Sequence, residues 1–173
     1  MGGGGNKVSL ADYWQQELIG TDFTGEKLVG ASFNQCRLDR ADFSNAHLSD
    51  SSFMQARLWN TKFCGAELNA ANLSHADAWE VDFRAARLIE ANLFCFHGRG
   101  ANFQGTNLRG ANLQLGQFWR ADFRGADLTG ANLANCNLKE ARFDASTKLE
   151  DADFTGVLAL HLPDQLVSNQ RLQ

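Results

Sequence analysis

The chain has 173 residues, enough for a single domain with a substantial core. A net charge of −4 from 16 Lys+Arg and 20 Asp+Glu is too weak to point to a nucleic-acid or membrane-surface partner, and no run approaches the roughly 18 apolar residues of a membrane span. Hydrophobic content of 44% and charged content of 21% are ordinary for a globular protein.

Met1–Asn6 is a glycine run without the apolar stretch of a secretory signal, and Asn6 fails the myristoylation pattern. It reads as a flexible leader or a cloning remnant. Four cysteines with no export signal then predict free thiols in a reducing, cytoplasmic compartment.

From Leu18 onward, Leu or Phe recurs at every fifth position, through Phe23, Leu28, Phe33 and Leu38 to Phe143, broken only at Ala78 and Gly98. Two residues before each stands a small residue, as at Ala31, Ala41, Ala46 and Ala56. Between the two lies a polar one, as in Ala41-Asp42-Phe43 and Ala111-Asn112-Leu113. A period of five fits neither a helix nor a simple strand. It fits three extended residues plus a two-residue corner: the small residue and the Leu/Phe face inward, and the residue between them faces outward. Gly25, Gly65, Gly105 and Gly125 fall where a type II turn needs a positive φ. Four corners close a coil of twenty residues, and coils stack at the inter-strand spacing of about 4.8 Å. The period of twenty shows in the choice of side chain: Phe23, Phe43, Phe63, Phe83, Phe103, Phe123 and Phe143 form one column and Leu28, Leu48, Leu68, Leu88, Leu108 and Leu128 the next.

These residues resemble the A(D/N)LXX signature of the pentapeptide-repeat family over about residues 16 to 156. The resemblance implies an all-β fold, a right-handed quadrilateral β-helix of about seven coils. The expected organisation is a leader and N-terminal cap at 1–15, the β-helix at 16–156, and a C-terminal cap at 157–173. Val8 to Ile19, with Tyr13 and Trp14, reads as that first cap or as a frayed first coil. An extra residue near Ser146-Thr147 shifts the register, so that Leu149 and Phe154 continue the ladder one position late. Leu158, Leu160, Leu162, Leu166 and Val167 around Pro163 suit either a plain lid, with a short helix after the proline, or the interface of a homodimer.

The column led by Leu18 is irregular. At its fifth coil, Phe96 takes the small-residue slot and Gly98 the large one, with Ala76, Ala78 and Gly116 making room. The arrangement reads as volume compensation in a packed core, or as an altered wall that shapes a shallow site outside.

Of the four outer faces, the one led by Ser32 is uncharged from Ser32 to Asn135, and its Asn72, Asn92, Asn112 and Asn132 suit a ladder of amides. The next face round ends in a column of Trp59, Trp79, Arg99 and Trp119, in which Arg99 is expected between two indoles. Trp and Arg are the commonest interface hot spots. With Phe94 and Leu115 near the shared edge, this column is the candidate partner-binding site, unless the indoles only shield the wall. His75, Asp77, Cys95 and His97 form a weak candidate for metal, because a flat wall does not offer tetrahedral geometry. A Cys95–His97 catalytic pair lacks an orienting group. No catalytic motif and no cofactor site is legible, so the chain is not read as an enzyme.

The expected function is therefore that of a protein-interaction scaffold whose partner is another protein. The family resemblance implies an alternative, a mimic of duplex DNA that binds and protects DNA gyrase. A mimic needs an acidic stripe. Here Asp22, Asp42, Asp82 and Asp122 are mixed with Lys62, Arg84, Arg124 and Arg142.

Overall fold

The structure is a computed structural model that describes residues 11–159 and 161–163. The Gly-rich leader, Val8, Leu160, Leu166, Val167 and the helix expected after Pro163 lie outside the described residues.

Each five-residue unit contributes one bridging residue, paired in parallel with the residue twenty positions on: Asp12 with Ser32, Glu17 with Arg37, Asp22 with Asp42, Lys27 with His47 and so on to Asp122 with Arg142. Four such bridges per twenty residues give the coil its four sides. Backbone donors need partners wherever water is excluded, and here the accounting is regular. In the unit Ser32–Cys36, for example, the Ser32 N–H donates back to Ala11, while the Phe33 and Gln35 N–H groups donate forward to Ser52 and Met54. The Cys36 N–H closes the corner on the Phe33 carbonyl at 3.2 Å. The second corner residue has φ near +60°, as at Gln35 (57°), Arg40 (59°) and Gly25 (68°), which makes these type II turns.

One N–H per unit, that of the first corner residue, stays outside this ladder. In most units whose bridging residue is Asp or Asn, that side chain takes it, while the Met54 and Ile89 N–H groups go to Asn34 and Asn69 one coil back. Asp22 Oδ1 accepts from the Thr24 N–H at 2.9 Å, Asn72 from Ser74 at 3.0 Å and Asn132 from Ala134 at 2.9 Å. The repeat favours Asp and Asn there because a short side chain with an sp² oxygen closes this two-residue ring.

The core is two ladders of rings plus columns of Leu and Ala. Phe23, Phe43, Phe63, Phe83, Phe103, Phe123 and Phe143 stack in order, with centroids 4.6 to 5.4 Å apart. A shorter ladder of Tyr13, Phe33 and Phe53 meets the first edge-on. Coil geometry already holds at Ala11–Gln15, inside the segment expected as leader and cap, and the last bridge, Asn137 to Leu158, lies just past the expected boundary at 156.

After residue 142 the spacing becomes twenty-one: Asp127 pairs with Lys148, Asn132 with Asp153 and Asn137 with Leu158. Asp144 is the extra residue. The turn closes one position later, from the Thr147 N–H to the Asp144 carbonyl, and Thr147 fills the buried slot. The Gly125 N–H, which a regular corner would meet with a carbonyl, donates instead to Asp144 Oδ1 at 3.1 Å.

In the coil spanning residues 91–110, Phe96 and Gly98 exchange sizes as expected. Phe96 is fully buried and lies 6.0 Å from the Phe118 ring. A Cβ on Gly98 would stand 2.9 Å from Phe96 and 3.0 Å from Phe118, and one on Gly116 only 2.2 Å from Phe118. The two glycines are thus the space that the two displaced rings occupy.

Candidate interaction edge

The corner that follows the Glu17–Arg37–Arg57–Asp77–His97–Gln117 face carries the tryptophan column. It is exposed because the first corner residue of every unit points outward, and its side chains meet because they repeat every twenty residues. Trp59 and Trp79 stack at 5.5 Å with planes 19° apart. Arg99 sits 5.5 Å from the Trp79 ring and 4.2 Å from Trp119, between two indoles as the spacing predicts. Two further guanidiniums extend the stack, Arg57 at 4.4 Å over Trp59 and Arg120 at 4.8 Å over Trp119. Sequence reasoning missed both, although bridging and second corner positions also face outward and flank the column by construction.

The carboxylates around the edge hold its ends. Arg57 Nε donates to both oxygens of the nearly buried Asp39, at 2.8 and 3.0 Å. Arg120 Nε donates to Glu140 at 2.7 Å. Arg120 holds the Glu140 carboxyl below its usual range, with the Trp119 indole beside it. Trp79 is 46% exposed, and Trp59 and Trp119 are half-buried. The Trp59 and Trp119 Nε1 atoms are buried and make no hydrogen bond.

Phe94 and Leu115 stand at the opposite corner, across His97 and Gln117. There Phe94 meets the His75 ring edge-on at 5.6 Å. They do not line the grooves beside Arg99. His75, Asp77, Cys95 and His97 do not converge, and among the described residues no group of three or more His, Cys, Asp or Glu could hold a metal ion. The four cysteines are free thiols. Cys36 and Cys136 fill small-residue slots and donate to the Tyr13 and Leu113 carbonyls. Burial raises both, Cys136 to about 12.

On the uncharged face the expected amide ladder forms through Asn72, Asn92 and Asn112 at 3.4 Å per step. A second one, unforeseen, joins Gln15, Gln35 and Gln55 at 2.8 and 3.0 Å. On the face led by Asp22, three of the acids are paired, Asp42 with Lys62, Asp82 with Arg84, and Asp122 with Arg124 and Arg142, while Asp22 itself accepts from the Thr24 N–H.

The family model for pentapeptide repeats matches in 8 copies over residues 17–53, 31–69, 66–93, 97–114 and 117–158. The chain belongs to the pentapeptide repeat family. The chain is also similar to several solved structures. A trypsin-treated form of QnrB1, a plasmid-mediated fluoroquinolone resistance protein, is 23% identical, with a TM-score of 0.49 over 94% of this chain and 89% of that one. HetL, a pentapeptide repeat protein involved in heterocyst differentiation regulation from the cyanobacterium Nostoc, is 21% identical, with a TM-score of 0.40 over 86% of each chain. A pentapeptide repeat protein of the Arabidopsis thaliana thylakoid lumen is 30% identical, with a TM-score of 0.31 over 66% of each chain. A search of curated proteins gave no match. Among the described residues no helix is long and apolar enough to cross a membrane.

Proposed function

We propose that this pentapeptide repeat protein is a non-catalytic interaction scaffold, and that its partner protein docks on the Trp59–Trp79–Arg99–Trp119 edge. The observation that carries the reading is the continuous stack of indoles and guanidiniums on the outside of a closed wall. Every ring in it is fixed by its neighbours, so little side-chain entropy remains to be lost on binding. Large, pre-ordered Trp and Arg side chains are what interface hot spots are made of. Mimicry of duplex DNA would need a run of unpaired carboxylates, and here Asp42, Asp82, Asp122 and Asp127 each face Lys or Arg.

The test is a variant with Trp59, Trp79 and Trp119 all changed to Ala. These side chains lie outside the core, so the coil spectrum by circular dichroism should be retained. Affinity for the partner recovered by cross-linking should fall by about thirtyfold or more, the size of a hot-spot loss of about 2 kcal/mol. Undiminished affinity would remove the site assignment. Protection of gyrase in a supercoiling assay by this same variant would favour the DNA-mimic reading.

A further inference from the structure

Not all cations along this edge are alike. Arg37 pairs with Glu17, Arg57 with Asp39 and Arg120 with Glu140. Arg40, Arg99 and, beyond Trp119, Lys139 share one corner and have no carboxylate within ion-pair distance among the described residues; of the three, only Arg40 and Arg99 line grooves. Each of these two borders a shallow groove with an indole wall. One, of about 260 Å³, lies between Trp79, Arg99 and Trp119 and is floored by His97, Gln117 and Asn137, with no carboxylate in its lining. The other, of about 290 Å³, sets Arg40 beside Trp59 and Ile19, the latter 46% exposed; its lining also holds Asp39, whose charge Arg57 meets. Glu80 lies on the far flank of Arg99, away from the first groove.

The separation of the two cations follows from the coil geometry. Arg40 and Arg99 are three coils apart, about 14 Å along the axis. An extended chain advances about 3.4 Å per residue, so four residues also span about 14 Å. Residues i and i+4 of a strand point the same way, and so does i+2 midway between them. At that midpoint this protein presents the Trp59–Trp79 stack.

We propose that this edge receives an extended acidic segment of a partner protein, with two carboxylate side chains four residues apart reaching Arg40 and Arg99 and an apolar side chain between them lying on Trp59 and Trp79. The proposal rests on the scaffold reading above and names the partner's chemistry. Single-stranded nucleic acid, the other polyanion that favours Trp and Arg, fits less well. Bases need free aromatic faces, whereas these indoles are already stacked on one another and on guanidiniums at 4.2 to 5.5 Å.

The probe is an end-capped synthetic peptide with two glutamates four residues apart and a phenylalanine midway, titrated into the full chain and followed by tryptophan fluorescence and calorimetry. Binding should weaken with added salt. Arg40→Gln and Arg99→Gln should each lower the affinity about threefold to tenfold, while Arg87→Gln, on another face, should leave it unchanged. A peptide with glutamines for glutamates should lose most of the binding. Equal binding of the glutamine peptide, indifference to both arginine substitutions, or no binding at millimolar peptide overturns the proposal. So does an oligothymidine that binds more tightly than the peptide through the same two arginines. If the natural partner is lost with the tryptophans but kept with both arginines changed, the scaffold reading stands and this inference fails.

Discussion

The size exchange at Phe96 and Gly98 makes a quantitative claim about coupling. Phe96 is fully buried, and its ring fills the space in front of Gly98. Removing it in Phe96→Ala should cost about 3–5 kcal/mol, the usual range for a phenylalanine cavity. Gly98→Leu on the native background drives a branched side chain into Phe96 and Phe118, where even a Cβ stands at 2.9 and 3.0 Å. Overpacking of that kind costs about 1–3 kcal/mol or more. In the double variant the leucine enters the space left by the ring, restoring the column order of Leu38 and Leu58. Its cost should fall below that of Phe96→Ala alone, giving a coupling of about 2 kcal/mol or larger that opposes the sum of the singles. The assay is equilibrium urea unfolding by far-UV circular dichroism, with tryptophan fluorescence as a second probe, because solenoids need not unfold in two states. Additive single and double costs, within about 0.5 kcal/mol, would refute volume exchange as the reason for the irregular coil.

Asp122 accepts hydrogen bonds from Gln104 and Arg124 and faces Arg142, and despite its burial its carboxyl is held at about 2 instead of the usual 3.8. A carboxyl lowered in the folded state stabilises fully above the unfolded value and loses that contribution as pH falls from about 4 to about 2. Asp122→Asn, which keeps the turn oxygen, should therefore flatten the fall in urea midpoint across that window, and an unchanged slope would count against it. Among the thiols, a maleimide should label the partly exposed Cys64 and Cys95 in the native protein and reach the buried Cys36 and Cys136 only on unfolding. Native labelling of Cys136, whose pKa burial raises to about 12, would contradict its placement.

The fold was legible because each link from residue to coil repeats. A small residue, a polar one and a Leu or Phe dictate one extended step, and the Asp or Asn between them supplies the acceptor for the only N–H that the coil ladder leaves over. The columns of like side chains carried the period of twenty, and the position of Arg99 between two indoles followed from that period alone. Pairing between neighbours was not legible to the same degree. Arg57 and Arg120 reach the tryptophans from adjacent positions, and which of several possible carboxylates each arginine chooses depends on rotamers, not on register. Phe94 and Leu115 stand off from the grooves beside Arg99 because a face is three residues wide and they occupy its other corner. The compensation of Gly98 and Gly116 for Phe96 and Phe118 was readable, since volume in a closed coil can only be exchanged with the residues above, below and beside it.

The corner at Asp144 amounts to a splice. One surplus residue has been let into the winding without unravelling the turns on either side, because a carboxylate takes over the place of a displaced carbonyl and a threonine hydroxyl ties the loop back, with Asp144 N–H donating to Thr147 Oγ1 at 3.1 Å and that hydroxyl donating to the Phe123 carbonyl at 3.1 Å. The rule that results is modular. Material may be added at a corner provided its first residue brings an acceptor for the coil before and its last refills the small inward slot. Asp144 and Thr147 meet both conditions, so this corner is a ready seam where a longer loop could be sewn into the solenoid while the coils on both sides keep their pitch.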